Sequence, residues 1–136
     1  MKILIICSKR FYNKIPAIKE YLETKNHKVY LPNFYDKPDT EDKIKLLGEK
    51  EHQNFKAKMF KQSEEVIKNM DAVLVLNYDK LDNINYIGGA TFLEMYDAFR
   101  FNKKIYLLNN IPKGILEDEI KGFNPIIINN NLDLIK

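Results

Sequence analysis

The feature that most constrains this chain is the regular alternation of short apolar runs with charged stretches of helical periodicity. The apolar runs occupy residues 2–7, 28–31, 72–77, 104–108 and 125–129. Continuous apolar runs of this length are typical of parallel strands that are buried on both faces. Strands that alternate with helices imply right-handed βαβ crossovers and a sheet covered by helices on both sides. The sequence therefore predicts an α/β sandwich around five parallel strands in the order 2-1-3-4-5.

The helices are predicted from the apolar spacing between these runs. They cover residues 13–25, a long polar stretch that ends near Met70, residues 90–102 and residues 114–121. Thr40 is the predicted N-cap of the long stretch, and Gly48 could interrupt the helix. Its predicted apolar stripe consists of Phe55, Met59, Val66 and Met70. Residues 32–42 are predicted to form a loop over the strand ends. Residues 1–136 as a whole are predicted to form a single Rossmann- or flavodoxin-like domain.

Composition excludes several classes of protein. The chain has 136 residues, of which 45% are hydrophobic and 30% charged, which is typical of a globular domain with its own core. No apolar run approaches the roughly 18–20 residues that span a bilayer, so no membrane partner is expected. The single cysteine cannot form an internal disulfide, which favours a cytoplasmic setting. A net charge of +3 among nineteen acidic residues does not predict nucleic-acid binding.

Polar side chains follow the predicted strands, where ligands bind in sheets of this kind. Ser8, Lys9 and Arg10 follow the first strand and could bind a phosphate, or they could form a solvated basic turn. The next residues, Phe11 and Tyr12, could stack on a base or belong to the core. Asn77 and Asn109 follow the third and fourth strands and complete a predicted substrate site together with Tyr86.

A glycine pair opens the predicted helix that carries Glu94. Free backbone N–H groups at such a start can hold a phosphate or a sugar hydroxyl, so Gly88, Gly89 and Thr91 are predicted to bind substrate. The glycines could equally form a tight turn, with Thr91 as a helix cap. The helix dipole should keep Glu94 ionised near neutral pH, and an ionised carboxylate can attack a sugar C1. The alternative is an ordinary surface glutamate.

The remaining candidates concern acid catalysis and metal binding. Asp79 could protonate a leaving group or hold a ribose hydroxyl, or it could cap a turn. His27 is interpreted as a turn residue and His52 as exposed on a polar helix, and Cys7 as a small buried side chain. Without close His, Cys or Asp ligand spacing, no metal site is predicted.

These residues together resemble the nucleoside 2-deoxyribosyltransferase superfamily, including its branch of 2'-deoxynucleoside 5'-monophosphate N-hydrolases. The resemblance covers residues 2–7 as the first strand, 70–75 as the third, and 89–94. It continues through residues 98–105, which are similar to the family's small residue, short turn and lysine before the fourth strand. The most specific part is the Gly-x-x-x-x-Glu segment that ends at Glu94, combined with the strand after it.

The resemblance implies a function and an assembly. Glu94 would be the catalytic glutamate that attacks the anomeric carbon, after which water or a second base resolves the glycosyl-enzyme. No cofactor is implied, and the protein would be a homodimer or a higher homo-oligomer. Residues 8–10 would hold the phosphate of a nucleotide, which favours a nucleotide over a free nucleoside as the small-molecule partner.

The chain also departs from the family pattern. Gly88 stands where the transferases carry an aspartate, Ser63 stands where a helical acid is expected, and Tyr96 replaces a small residue. Glu64 and Glu65 adjoin the Ser63 position but would point elsewhere, so Asp79 is the substitute acid. A non-catalytic nucleotide-binding module on the same fold is therefore the alternative function, and a flavodoxin-like interaction or electron-transfer module is a third.

Overall fold

Five short parallel strands form the centre of the molecule. A computed structural model describes all residues from 1 to 136. The strands are β1 (Lys2–Ile6), β2 (Lys28–Tyr30), β3 (Ala72–Val75), β4 (Lys104–Leu107) and β5 (Ile126–Ile127). Their order is β2-β1-β3-β4-β5, and each neighbouring pair is parallel. The predicted Rossmann- or flavodoxin-like α/β fold, with strand order 2-1-3-4-5, is confirmed.

The helices connect successive strands. They are α1 (Ile15–Thr24), α2 (Thr40–Lys45), α3 (Glu49–Lys68), α4 (Gly89–Arg100) and α5 (Glu117–Gly122), with 3₁₀ helices at Lys9–Lys14 and Leu132–Leu134. The predicted break at Gly48 is confirmed, since this residue has φ +141° between α2 and α3. No helix combines the length and the apolar character needed to cross a bilayer.

One predicted helix start is wrong. Asp39, and not Thr40, occupies the N-cap of α2. The Thr40 hydroxyl donates to the Lys37 carbonyl at 2.7 Å, so it closes the preceding turn and leaves the helix N–H groups uncapped. Helix α2 therefore begins one residue earlier than the capping pattern indicates.

The core has two halves because each strand alternates its side chains between the two faces of the sheet. Ile3, Ile5 and Leu74 face α1 and the C-terminal segment, whereas Leu4, Ile6 and Val75 face α3, α4 and α5. All six side chains are buried. Continuous apolar strands are therefore explained by helices on both faces, as in other parallel sheets.

Helix α3 is longer than the sheet it covers. Its 20 residues extend about 30 Å, whereas β1 and β3 have five and four residues. Only its C-terminal part packs on the sheet, through the buried Ser63 and Ile67. The predicted apolar stripe therefore divides: Val66 and Met70 pack in the core, whereas Phe55 and Met59 are half-buried and line a cavity beyond the strand ends.

Candidate active site

A cavity of about 520 Å³ opens at the carboxyl end of β1, beside the start of α4. Its walls come from the residues after β1, the segment after β2, helix α2, the N-terminal part of α3 and the first turns of α4. This volume lies in the range of small-molecule sites. The cavity also lies beside the switch point between β1 and β3, where ligands bind in open α/β sheets.

Glu94 projects into this cavity from the second turn of α4. Its side chain is partly exposed and makes no hydrogen bond or ion pair within the protein. The pKa of Glu94 is raised to about 8, mainly by burial and also by the charge of Asp97, while the charge of Lys56 partly offsets both. The prediction that the helix dipole keeps this group ionised near neutral pH is therefore wrong, because burial disfavours the charged carboxylate. At neutral pH the free protein holds Glu94 predominantly as the neutral acid.

Two protonated side chains adjoin Glu94. Cys7 and Tyr12 line the cavity on the β1 side. Burial raises the pKa of Cys7 to about 12, with a further contribution from Glu94. Burial also raises the pKa of Tyr12, as do the neighbouring Cys7 and Glu94. Cys7 is half-buried rather than enclosed in the core, so the prediction of a simple buried residue is only partly right. This wall offers hydrogen-bond donors and no additional charge.

The start of α4 forms the opposite rim. Gly88, Gly89 and Thr91 all line the cavity, and no side chain caps the helix. Gly88 has φ −80°, so the backbone does not require glycine there. A Cβ on Gly88 would lie 3.1 Å from the Tyr86 hydroxyl, whereas one on Gly89 would meet open space. The uncapped N–H groups of a 12-residue helix thus border a cavity, an arrangement that favours anions.

Lysines outnumber carboxylates around the cavity. The lining contains five lysines and three carboxyl groups: Lys9, Lys37, Lys45, Lys56, Lys80, Glu41, Asp42 and Glu94. Lys9 pairs with Asp42 at 2.8 Å and Lys56 with Glu41 at 3.4 Å. The other three lysines have no carboxylate partner, although Lys80 lies 4.4 Å above the Tyr86 ring. The unpaired positive charge favours an anionic ligand.

An apolar wall also lines the cavity. It consists of Phe34, Phe55, Met59 and Phe60, which come from the segment after β2 and from α3. The Phe34 and Phe55 rings are 5.5 Å apart. Aromatic and methionine side chains of this kind pack against planar apolar groups. The cavity therefore combines an apolar wall with a cationic rim.

The structure does not bring all predicted site residues to the cavity. Arg10 is exposed outside it, and Phe11 is buried with its ring edge-on to Tyr78 at 5.5 Å. Asp79 is exposed and accepts a hydrogen bond from the Asn85 N–H at 2.9 Å. The capping alternative therefore describes Asp79 as the structure places it. The acid expected from the sequence lies outside the cavity.

Asn77 and Asn109 also lie outside the cavity, in a closed network. The Asn77 amide donates to the carbonyls of Asn109 and Asn110 at 3.2 and 3.0 Å. The Asn109 N–H donates to the Asn77 side-chain oxygen at 2.8 Å, and the Asn109 amide donates to the Asn77 carbonyl. Asn130 in turn donates to the Asn109 side chain at 2.6 Å. These side chains fasten the loops after β3 and β4 and leave little bonding capacity for a ligand.

Sequence reasoning missed the residues that α2 and α3 contribute. Glu41 and Lys56 line the cavity, and so does Asn33. The prediction of a loop over the strand ends was the available signal for Asn33, but α3 gave none, because its length relative to the sheet is a tertiary property. His52 is not an exposed residue as predicted: it is partly buried, with Nε2 2.8 Å from Glu41 Oε2.

The position of the expected helical acid has a structural role. Ser63 is buried and its hydroxyl accepts a hydrogen bond from the Asn33 side chain at 2.9 Å. It therefore fixes a residue of the cavity wall from behind. Glu64 points away from the cavity, since it pairs with Arg100 at 3.2 Å and Lys68 at 3.5 Å.

A comparison of the chain with protein-family models finds no matching family, and a comparison with curated proteins finds no match. The structure contains no group of three or more His, Cys, Asp or Glu side chains arranged to hold a metal ion. The geometry and the charges of the cavity are therefore the features that point to a function.

Proposed function

We propose that this protein cleaves or exchanges the N-glycosidic bond of a nucleoside or a nucleoside 5'-monophosphate. The observation that carries the proposal is the position of Glu94, whose carboxyl group has no partner in the protein and faces a cavity of ligand size. A carboxyl group so placed is free to react with a bound molecule. The apolar wall suits a nucleobase, and the sugar would lie between that wall and Glu94.

The proposed reaction proceeds in two displacements. An ionised Glu94 oxygen attacks the anomeric carbon, the C–N bond breaks, and its electron pair leaves with the base, which takes up a proton. Because Asp79 lies outside the cavity, we propose that lysine ammonium groups of the lining supply this proton. Water, or a second base, then attacks the same carbon, gives up a proton to the lysine amine left by the first step, and releases Glu94 from the ester as a carboxylate.

The charge of the cavity favours a nucleotide over a free nucleoside. Lys37, Lys45 and Lys80 lack carboxylate partners, and the uncapped start of α4 borders the same space. A 5'-phosphate would meet both features, together with Ser8 and Lys9 from the segment after β1. The proposed reaction uses no cofactor. We also propose the cytoplasmic setting that the single cysteine predicts.

A non-catalytic nucleotide-binding module is the second candidate. It is favoured by the neutral state of Glu94 at pH 7 and by the position of Asp79 outside the cavity. Tyr96 does not favour it: this side chain is exposed and lies outside the cavity, so its bulk does not obstruct the site.

The test measures free base released from a panel of nucleosides and 5'-monophosphates, with and without an acceptor base. It compares the wild type, Glu94→Gln and Glu20→Gln, the last being a matched control because Glu20 is exposed on α1. Release by the wild type and by Glu20→Gln, but not by Glu94→Gln, supports the proposal. Thermal stabilisation by a nucleotide without any release supports the binding module. Neither release nor stabilisation contradicts both.

Self-association is also part of the proposal. Helix α4 exposes Leu93, Tyr96 and Phe99 on its outer side, and Phe123 packs against the Phe99 ring at 5.5 Å. Contiguous exposed apolar surface of this kind marks interaction sites. Sedimentation of the wild type and of Phe99→Lys tests it: a dimer or larger species that the substitution dissociates supports the proposal, and a wild-type monomer contradicts it.

A further inference from the structure

Lys56 connects two carboxyl groups that line the same cavity. It comes from α3, and its Nζ lies 3.4 Å from Oε1 of Glu41 on α2. Glu94 faces the same space from α4, and the positive charge of Lys56 lowers the pKa of Glu94. One ammonium group thus acts on carboxyl groups from two different walls.

In this arrangement Glu41, and not Glu94, is the carboxyl group paired with positively charged side chains. Lys56 lies within ion-pair distance of Glu41, and His52 Nε2 lies 2.8 Å from the other Glu41 oxygen. Burial alone would raise the pKa of Glu41, but the hydrogen bond of His52 and the charge of Lys56 outweigh it, so the pKa is lowered. Glu41 is therefore ionised in the same state in which Glu94 is predominantly neutral.

Helix α2, which carries Glu41, has no anchor in the core. None of its six residues is buried. It is joined to α3 through Glu41, and to the segment after β1 through the pair of Lys9 with Asp42. Partly exposed pairs of this type each contribute about 0–1 kcal/mol. These ion pairs therefore oppose a movement of Glu41 only weakly.

The other groups around Glu94 do not offer an equivalent counter-charge. Its neighbours on the β1 side are the thiol of Cys7 and the hydroxyl of Tyr12, and its neighbour on α4 is Asp97, which pairs with Arg100 at 3.1 Å. Lys9, Lys37, Lys45 and Lys80 line the same cavity, where Lys9 pairs with Asp42 and Lys80 lies over the Tyr86 ring. Lys56 is the cation whose charge reaches Glu94.

We propose that Glu41 and Glu94 compete for the ammonium group of Lys56, so that helix α2 sets which carboxyl group of the cavity is charged. With α2 against α3, Lys56 neutralises Glu41 and Glu94 remains an acid. When a ligand or a movement of α2 withdraws Glu41, Lys56 pairs with Glu94, whose proton passes to solvent. Lys56 is thus a positioning residue for the nucleophile. This inference rests on the proposed function only for the reactive role of Glu94.

The experiment titrates the Glu94 side-chain carboxyl carbon by NMR in ¹³C-glutamate-labelled protein, without any substrate. The signal is assigned by its absence in Glu94→Gln. The variants are Glu41→Gln, Lys56→Met, Lys56→Arg and the double substitution Glu41→Gln with Lys56→Met. Asp42→Asn is the matched control, because Asp42 is also a carboxylate of α2 but pairs with Lys9 instead of Lys56.

The expected result is a pattern and not a single shift. Glu41→Gln lowers the midpoint of the Glu94 titration by about one pH unit, since an opposite charge nearby shifts a carboxyl group by one unit or more. Lys56→Met raises the midpoint, and Lys56→Arg restores it. In the Lys56→Met background Glu41→Gln has no further effect, and Asp42→Asn leaves the midpoint unchanged. This pattern supports the proposal.

Three outcomes would overturn it. An equal shift by Glu41→Gln with and without Lys56 means direct repulsion between the two carboxylates. A shift of the same size in Asp42→Asn that persists in the Lys56→Met background means that loss of any α2 carboxylate acts on Glu94 without an exchange of Lys56. An unchanged midpoint in folded Glu41→Gln means that there is no competition. Since no turnover is measured, a failed search for base release would contradict the proposed function and leave this titration result intact.

Discussion

Polar side chains gather at the carboxyl edge of the sheet in two places. The two places differ in whether these side chains are hydrogen-bonded within the protein. Beside β3 and β4, Asn77, Asn109 and Asn130 form an asparagine network whose amides bond to one another and to nearby carbonyls. Beside β1 and α4, Glu94 faces the cavity with no partner in the protein. The first place closes the fold, and the second is open to chemistry.

The difference teaches how to separate structural from functional polar residues. Burying a polar group is costly unless it is hydrogen-bonded, so a fully bonded side chain such as Asn77 stabilises the structure. Glu94 carries the cost of burial in the form of a raised pKa. A ligand that contacts this carboxyl group can therefore offset part of that desolvation cost.

The largest expected effect concerns the cavity. Glu94→Gln should reduce base release by at least about three orders of magnitude, as loss of a nucleophile does in other enzymes. The kcat/KM of the wild type should rise with pH through the pKa of Glu94 near 8, because the nucleophile is the ionised form. A kcat/KM that instead falls through this range would assign Glu94 as an acid.

The asparagine network should respond in stability and not in chemistry. Asn77→Ala leaves the Asn109 N–H and two carbonyls of this part-buried network without their partner, and each group left unsatisfied costs up to about 1–3 kcal/mol. We expect the free energy of unfolding in urea to fall by about 3 kcal/mol. Asn110→Ala is the control, because only the Asn110 backbone carbonyl takes part. Equal losses in both variants would contradict a structural role for the Asn77 side chain.

The pH dependence of stability should report on Glu94. Its pKa is raised from 4.5 in the ordinary state to about 8 in the folded protein. Between these values the folded state binds more protons than the unfolded state, so stability falls as pH rises, by at most about 1.4 kcal/mol per pH unit. Thermal melts of the wild type should show this decline between pH 5 and 8, and Glu94→Gln should reduce it. Identical slopes would contradict the raised pKa.

A smaller effect is expected behind the cavity wall. Ser63→Ala removes the buried acceptor of the Asn33 side chain. The loss should be about 1 kcal/mol in the free energy of unfolding, the usual contribution of one hydrogen bond. The exposed neighbour Gln62 provides the control through Gln62→Ala, which should be neutral. A neutral Ser63→Ala would mean that Asn33 is held by other contacts.

The smallest effect belongs to the rim. Lys9→Met removes an ion pair with Asp42 in which both side chains are more than half exposed. Such pairs contribute about 0–1 kcal/mol and weaken with salt. We expect a loss below 1 kcal/mol in urea denaturation at low salt and none at 1 M salt. A larger, salt-independent loss would indicate that α2 depends on Lys9 for more than charge.

The strands could be predicted because their signal is local. Each of the apolar runs contains a strand, and the Gly48 break between α2 and α3 follows from a residue that tolerates φ +141°. What the stripe on α3 packs against could not be predicted. Phe55 and Met59 have the right helical spacing, but whether a stripe meets the sheet or a cavity depends on how far the helix extends beyond the strands.

The predicted site residues also fall into those that were predicted correctly and those that were not. Ser8, Lys9, Gly88, Gly89, Thr91 and Glu94, with Tyr86, line the cavity as the strand-end rule predicts. Asn77 and Asn109 satisfy the same rule and are nevertheless used up in the network. A rule about position cannot distinguish them, because hydrogen-bond partners come from distant parts of the chain.

The sequence by itself determined the strands, most of the helices, the order of the sheet and the edge at which the polar residues collect. These depend on apolar periodicity and on the handedness of βαβ connections, which are properties of short segments. Only the tertiary structure decided that Glu94 is neutral, that Asp79 lies outside the cavity and that Lys56 lies beside Glu41. The reason is physical: desolvation and ion pairing are set by groups brought together in space, and no local pattern encodes them.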